Sequence, residues 1–90
     1  MTEKQIRIFM ELSRNLSFSK TAVVFNTTQP TITRQIQLLE EDWGITLFDR
    51  GGKVVKLTKS GKVMADFFSA HCGSLQRALD QAKDCESRVL

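Results

Sequence analysis

Thr28-Gln29-Pro30-Thr31-Ile32-Thr33-Arg34-Gln35-Ile36-Gln37-Leu38-Leu39-Glu40-Glu41-Asp42-Trp43 is the stretch whose reading decides the fold, and its pattern predicts one amphipathic helix. Thr28 suits the N-cap, where a hydroxyl accepts a bond from an otherwise orphaned backbone N–H, and Pro30 falls where a missing N–H costs nothing. Ile32, Ile36, Leu39 and Trp43 recur three and four apart, and Leu38 widens the stripe, so one side must be buried. The opposite side carries Thr28, Gln29, Thr31, Thr33, Arg34 and Gln37, which are short hydrogen-bonding side chains plus one guanidinium, with no carboxylate. Such a face suits the DNA major groove, whose base edges present mixed donors and acceptors, while a helix N-terminus favours phosphate. A solvated face of a core helix draws on the same residue types, so this stretch alone leaves both readings open.

The flanks narrow the choice. Upstream, Ile6, Phe9, Met10 and Leu12 at helical spacing predict a first helix over residues 3–14, with Ile8 partly off the stripe, either at the edge of the core or facing a second chain. Asn15-Leu16-Ser17 breaks the pattern, and Ser17 is a candidate N-cap for a short helix from Phe18 to Phe25 that points Phe18, Ala22 and Phe25 inward. Val23 and Val24 cannot both be buried as well. Asn26-Thr27 then forms a tight break, because Asn tolerates the left-handed conformation that often ends a helix. Helix, short turn and capped helix is the layout of a helix-turn-helix, although a plain helical hairpin shares it.

Downstream, Gly44 is expected as a left-handed C-cap, and Ile45, Leu47 and Phe48 as core residues that tuck the chain back under the bundle. Asp49-Arg50-Gly51-Gly52-Lys53 reads as a turn between two extended runs, Thr46 to Asp49 and Val54 to Leu57. A hairpin after a helix-turn-helix is a wing. Arg50 at its base, with Lys53 and Lys56, could reach phosphates or a narrow minor groove.

The chain has 90 residues, enough for one small domain, and its 41% hydrophobic and 26% charged residues are those of an ordinary folded chain. A net charge of +3 hardly argues for a polyanionic partner. Its distribution does: from Arg50 to Lys62 every charged residue (Arg50, Lys53, Lys56, Lys59, Lys62) is positive, just after the acidic Glu40, Glu41, Asp42 and Asp49. No apolar run of membrane-spanning length and no leader-like start is present, so a cytoplasmic protein is expected. Cys72 and Cys85, with His71 as the only histidine, form neither a metal-ligand pattern nor a disulfide framework and are expected as reduced, semi-buried thiols. No nucleophile with a base, no paired carboxylates and no phosphate-cradling loop is found, so no enzyme, catalytic residue, metal or cofactor is expected.

Thr58 is a second candidate N-cap, and no strong break follows it. A helix from Lys59 to about Ser87 would be roughly 40 Å long, too long to pack wholly on a small bundle. Its apolar or small residues fall at Phe68, His71, Leu75, Ala78, Ala82, Cys85 and Val89, broadened by Met64, Phe67, Cys72 and Leu79, at coiled-coil spacing. Gly73 weakens the seam by about 1 kcal/mol of helix propensity. Self-association through Met64, Phe68, His71, Leu75, Ala78, Leu79 and Ala82 is the expectation.

Phe18-Ser19-Lys20-Thr21-Ala22, then Thr28 to Ile36, Leu39-Glu40, Gly44, Leu47-Phe48-Asp49-Arg50 and Leu57-Thr58-Lys59-Ser60-Gly61, closely resemble the N-terminal DNA-binding region of the bacterial LysR-type transcriptional regulators. The resemblance runs from about Gln5 to about Phe68, and the long helix beyond is similar in character to that family's linker helix. It implies a mainly α fold, a winged helix-turn-helix over residues 1–58 followed by a dimerising linker helix over 59–90. It further implies double-stranded promoter DNA as the partner, a tetramer as the usual full-length state, and a larger effector-binding domain outside these residues. The chain would then be an excised domain or a truncated protein. Thr28, Gln29, Pro30, Thr31, Thr33 and Arg34 fall on the family's recognition-helix motif and Arg50 on its wing arginine; Gln37, Lys53 and Lys56 extend the expected contact surface. Departures are Thr21 and Thr27, where alanine and an apolar residue are usual, Trp43 in place of leucine, and Thr31, where alanine is frequent. The competing expectation is a protein-interaction module whose polar helix and basic hairpin dock on an acidic protein.

Overall fold

A computed structural model describes residues 1–89, with only the backbone of the last helix described at 71–77, 80, 84 and 86–89. Four helices and one hairpin follow in the order α1 (Glu3–Asn15), α2 (Phe18–Val24), α3 (Gln29–Trp43), β1 (Phe48–Asp49), β2 (Lys56–Leu57) and α4 (Lys59–Val89).

Each helix start is fixed by a hydroxyl. Thr2 and Gln5 form a reciprocal capping box on α1, Ser17 Oγ accepts from the Lys20 N–H, and Thr28 Oγ1 accepts from the Thr31 N–H. Thr58 Oγ1 does the same for Gly61 at 2.9 Å on α4. The left-handed stops are Leu16 (φ 53°), Asn26 (φ 52°) and Gly44 (φ 68°). Leu16 is unexpected beside Asn15. The Asn15 side chain is occupied, its Oδ1 accepting from the Ser17 N–H at 2.8 Å and from the buried Thr21 hydroxyl at 3.2 Å. That bond satisfies the Thr21 hydroxyl inside the core. At Gly44 the space is open and only the backbone angle resists a side chain; Gly44→Ala should therefore cost about 1 kcal/mol in a denaturant titration, from strain alone.

The core is one cluster of Ile8, Phe9, Leu12, Phe18, Ala22, Ile32, Ile36, Leu39, Leu47, Phe48 and Ala65. Two expectations, for Ile8 and for the hairpin, need correction. Ile8 is central to this cluster at 1% exposed, because α1 is packed by α2, α3 and α4 together and so buries more than one stripe. Val23 and Val24, expected not to be buried together, are both exposed. The hairpin strands are two residues long, paired Phe48 with Leu57 and Asp49 with Lys56. The connection is correspondingly longer, because Asp49 Oδ1 takes the Gly51 N–H at 3.0 Å and turns the chain out of the ladder early.

The first turns of α4 belong to the bundle. Gly61 is buried against the Leu47 carbonyl, Ala65 is buried, and Met64 and Phe68 pack on the core, Phe68 stacked on Trp43 at 5.7 Å between centroids. The core therefore runs on past Thr58, to about Phe68. Met64 and Phe68, expected in the dimer seam, are half-buried and pack against the chain's own core. α4 has 31 residues, about 46 Å at 1.5 Å each, and the molecule is 56 × 27 × 22 Å, so the later turns project. There Ala78, Leu79, Ala82 and Cys85 are exposed, which corrects the expectation of a semi-buried Cys85. The side chains of His71, Leu75 and Cys72 lie outside the described residues. Among the described residues, no helix is long and apolar enough to cross a membrane, and no group of three His, Cys, Asp or Glu side chains is placed to hold a metal ion.

Candidate nucleic-acid interface

The N-terminal half of α3 is an outward shelf. Ile32, Ile36 and Leu39 anchor it in the core, and Thr28, Gln29, Pro30, Thr31, Arg34 and Gln37 are exposed on the other side, with Thr33 half-buried at the margin. Two side-chain bonds fix its position. Gln5 of α1, itself buried, donates from Nε2 to Gln35 Oε1 at 3.0 Å. Ser19 of α2 donates from its hydroxyl to Gln29 Oε1 at 3.3 Å, which leaves the Gln29 amide N–H groups free of protein acceptors among the described residues. Thr28 Oγ1 and Thr31 Oγ1 are 2.9 Å apart and share one proton between them, so the pair retains one hydroxyl donor for an outside acceptor. Arg34 makes no ion pair among the described residues. The shelf therefore keeps the Gln29 amide N–H groups and the Arg34 guanidinium available as donors.

The neighbouring carboxylates are held away from the shelf. Glu40 Oε2 accepts from the Leu47 N–H at 2.7 Å and the Phe48 N–H at 3.4 Å, and Asp42 pairs with the N-terminal ammonium at 2.7 Å. Glu40 thereby ties the last turn of α3 to the root of the hairpin. Thr58 fastens the other strand: its N–H and Oγ1 both donate to Leu47 O, at 3.0 and 3.2 Å, and Oγ1 also reaches Thr46 O. The hairpin is thus clamped from both sides at Leu47.

On the hairpin, Lys53 and Lys56 are exposed, Lys53 in the loop and Lys56 in β2. Arg50 takes a less predictable position. Its guanidinium carbon lies 3.9 Å from the centroid of the Phe18 ring at the start of α2, which draws the base of the hairpin to the helix-turn-helix. All ten residues expected at the interface are thus at the surface or its margin, on α3 and the adjoining hairpin. Ser19 and Phe18 were not singled out for the site by sequence reasoning. Nothing local in the sequence connects Phe18 to an arginine 32 positions away, and only the hairpin's fold brings them together.

Residues 4–62 match the family described as bacterial regulatory helix-turn-helix protein, lysR family. The chain is 38% identical over 79 residues to the HTH-type transcriptional activator IlvY of Haemophilus influenzae, spanning 88% of this chain and 27% of that protein. It is 31% identical over 85 residues to the HTH-type transcriptional regulator PcaQ of Agrobacterium fabrum, spanning 94% of this chain and 26% of that protein. The chain therefore covers about a quarter of the length of these curated relatives. Among solved structures, it is similar to the BenM DBD/catB site 1 DNA complex with a TM-score of 0.85 and 31% identity, over 97% of this chain and 98% of that one. It is similar also to the CbnR DBD–DNA complex with a TM-score of 0.80 and 26% identity, over 94% and 98%.

Proposed function

The chain belongs to the LysR family of bacterial regulatory helix-turn-helix proteins, and from that premise we propose that it binds double-stranded promoter DNA sequence-specifically, with α3 in the major groove and the hairpin on the backbone or in the minor groove. The observation that carries this reading is the exposed, carboxylate-free shelf from Thr28 to Gln37, with its Gln29 and Arg34 donors, flanked by Arg50, Lys53 and Lys56. Base edges of the major groove offer acceptors to such donors, and the lysines supply affinity from phosphates without reading sequence.

Binding should weaken steeply with salt. Each phosphate neutralised adds about 0.9 to the slope of log affinity against log salt, so Lys53→Ala and Lys56→Ala should each reduce that slope by about 1 and weaken all duplexes alike. Anisotropy titrations at several salt concentrations measure both quantities. Binding that ignores competitor duplex but responds to acidic proteins would instead support a protein-interaction module.

Two chains would pair through the projecting part of α4, setting two α3 helices about 34 Å apart on successive major grooves. Support comes from the exposed Ala78, Leu79 and Ala82 on a helix that extends beyond its own core. Leu79→Arg should shift the light-scattering mass at micromolar concentration from two chains to one. A wild-type mass of one chain would refute the pairing. In a longer protein, any small-molecule effector would act through residues outside this chain.

A further inference from the structure

We propose that Phe18 is a positioning residue for DNA binding, a platform that holds Arg50 by its flat face so that its N–H edge is ready for phosphate. The inference rests on the DNA reading above and deepens it at one site. The guanidinium carbon is 3.9 Å from the ring centroid, at the separation expected of a cation–π contact. A ring engages the face of a guanidinium and leaves its five N–H donors, which lie in the plane, unoccupied. Arg50 has no carboxylate or hydrogen-bond partner among the described residues, and its side chain is exposed. The platform itself cannot wander: Phe18 is buried, and its ring is braced by an edge contact with Phe48 at 6.3 Å. A long flexible side chain is thus fixed with its donors free, which lowers the ordering cost on binding.

The experiment is a double-mutant cycle in the 90-residue chain, read as affinity for a preferred duplex and as salt slope. Arg50→Ala should weaken binding by about 10- to 100-fold and reduce the slope by about 1. Phe18→Leu, with its fold verified by thermal unfolding, should weaken binding by about 3- to 10-fold with the slope unchanged. In the Arg50→Ala background the same change should add less than about twofold, because the pair acts as a unit. Phe18→Tyr, which keeps the ring, should restore wild-type affinity. Arg50→Lys, which keeps both charge and core, should lose about threefold or more, because a compact hydrated ammonium is held less well by the ring. In the free protein, Arg50 side-chain protons should show an upfield ring-current shift that Phe18→Leu abolishes. Additive losses from Phe18→Leu and Arg50→Ala, full affinity in Arg50→Lys, or the absence of the ring-current shift would overturn the proposal. A wild-type chain that binds no duplex, but shows the shift, would instead sink the DNA reading on which it rests.

Discussion

Gly61→Ala should lower the midpoint of thermal unfolding by about 10 °C or more, although helix propensity alone favours the change by about 1 kcal/mol. The two effects have opposite signs, so the outcome discriminates between them. Gly61 sits in the first turn of α4, where a Cβ would overlap the Leu47 carbonyl oxygen and come within 2.7 Å of Leu57 Cδ1. The carbonyl cannot yield cheaply. It accepts from the Thr58 N–H and hydroxyl, and the Leu47 side chain is fully buried. Moving it would strain the clamp that holds the hairpin and lift Met64, Ala65 and Phe68 from the core. Overpacking of this kind costs about 3 kcal/mol at its upper range, a large share of the 5–15 kcal/mol typical of small domains. Differential scanning calorimetry on the two proteins measures it, and an unchanged or raised midpoint would show that α4 is not seated on Leu47.

Removing the groups proposed to read bases should have the largest functional effect. A bidentate side chain on a base edge is worth about 1–3 kcal/mol of discrimination, so Arg34→Ala and Gln29→Ala should each reduce the ratio of specific to random-duplex affinity by about 5- to 150-fold. Neither change should disturb the fold, since both side chains are exposed and neither belongs to the core. The expected pattern differs from that of Lys53→Ala and Lys56→Ala, which should lower every affinity and leave the ratio intact. Competition titrations with a preferred and a scrambled duplex separate the two patterns. Equal ratios in the wild type and both variants would mean that the shelf does not read bases.

Much of this was legible in the sequence because it depends on local rules. Thr28, Pro30, the Ile32–Ile36–Leu39 stripe and Gly44 specify where α3 starts, which side it buries and where it stops, and each is found as expected. Ser17, Asn26 and Thr58 mark their turns in the same way. What escaped depends on contacts between distant segments. Ile8 lies off the single stripe of α1, but α1 is packed on several sides, which periodicity cannot report. Met64 and Phe68 have the spacing of a coiled-coil seam, yet Trp43 offers Phe68 a stacking partner within the chain, and a stripe does not say which surface it will meet. Glu40 reads only as one of the acidic residues that precede the basic hairpin, while the structure uses it to bind the amides of Leu47 and Phe48. Arg50 was visible as a basic residue at a hairpin base; its seat on Phe18 was not.

The most direct test is selection of the 90-residue chain on a random duplex library at physiological salt. A specific reading shelf predicts an enriched motif, arranged as an inverted repeat with half-sites about one helical turn apart when two chains pair through α4, and loss of that enrichment in Arg34→Ala. Retention of duplexes with no enriched sequence, or an identical motif from Arg34→Ala, would contradict sequence-specific recognition by α3.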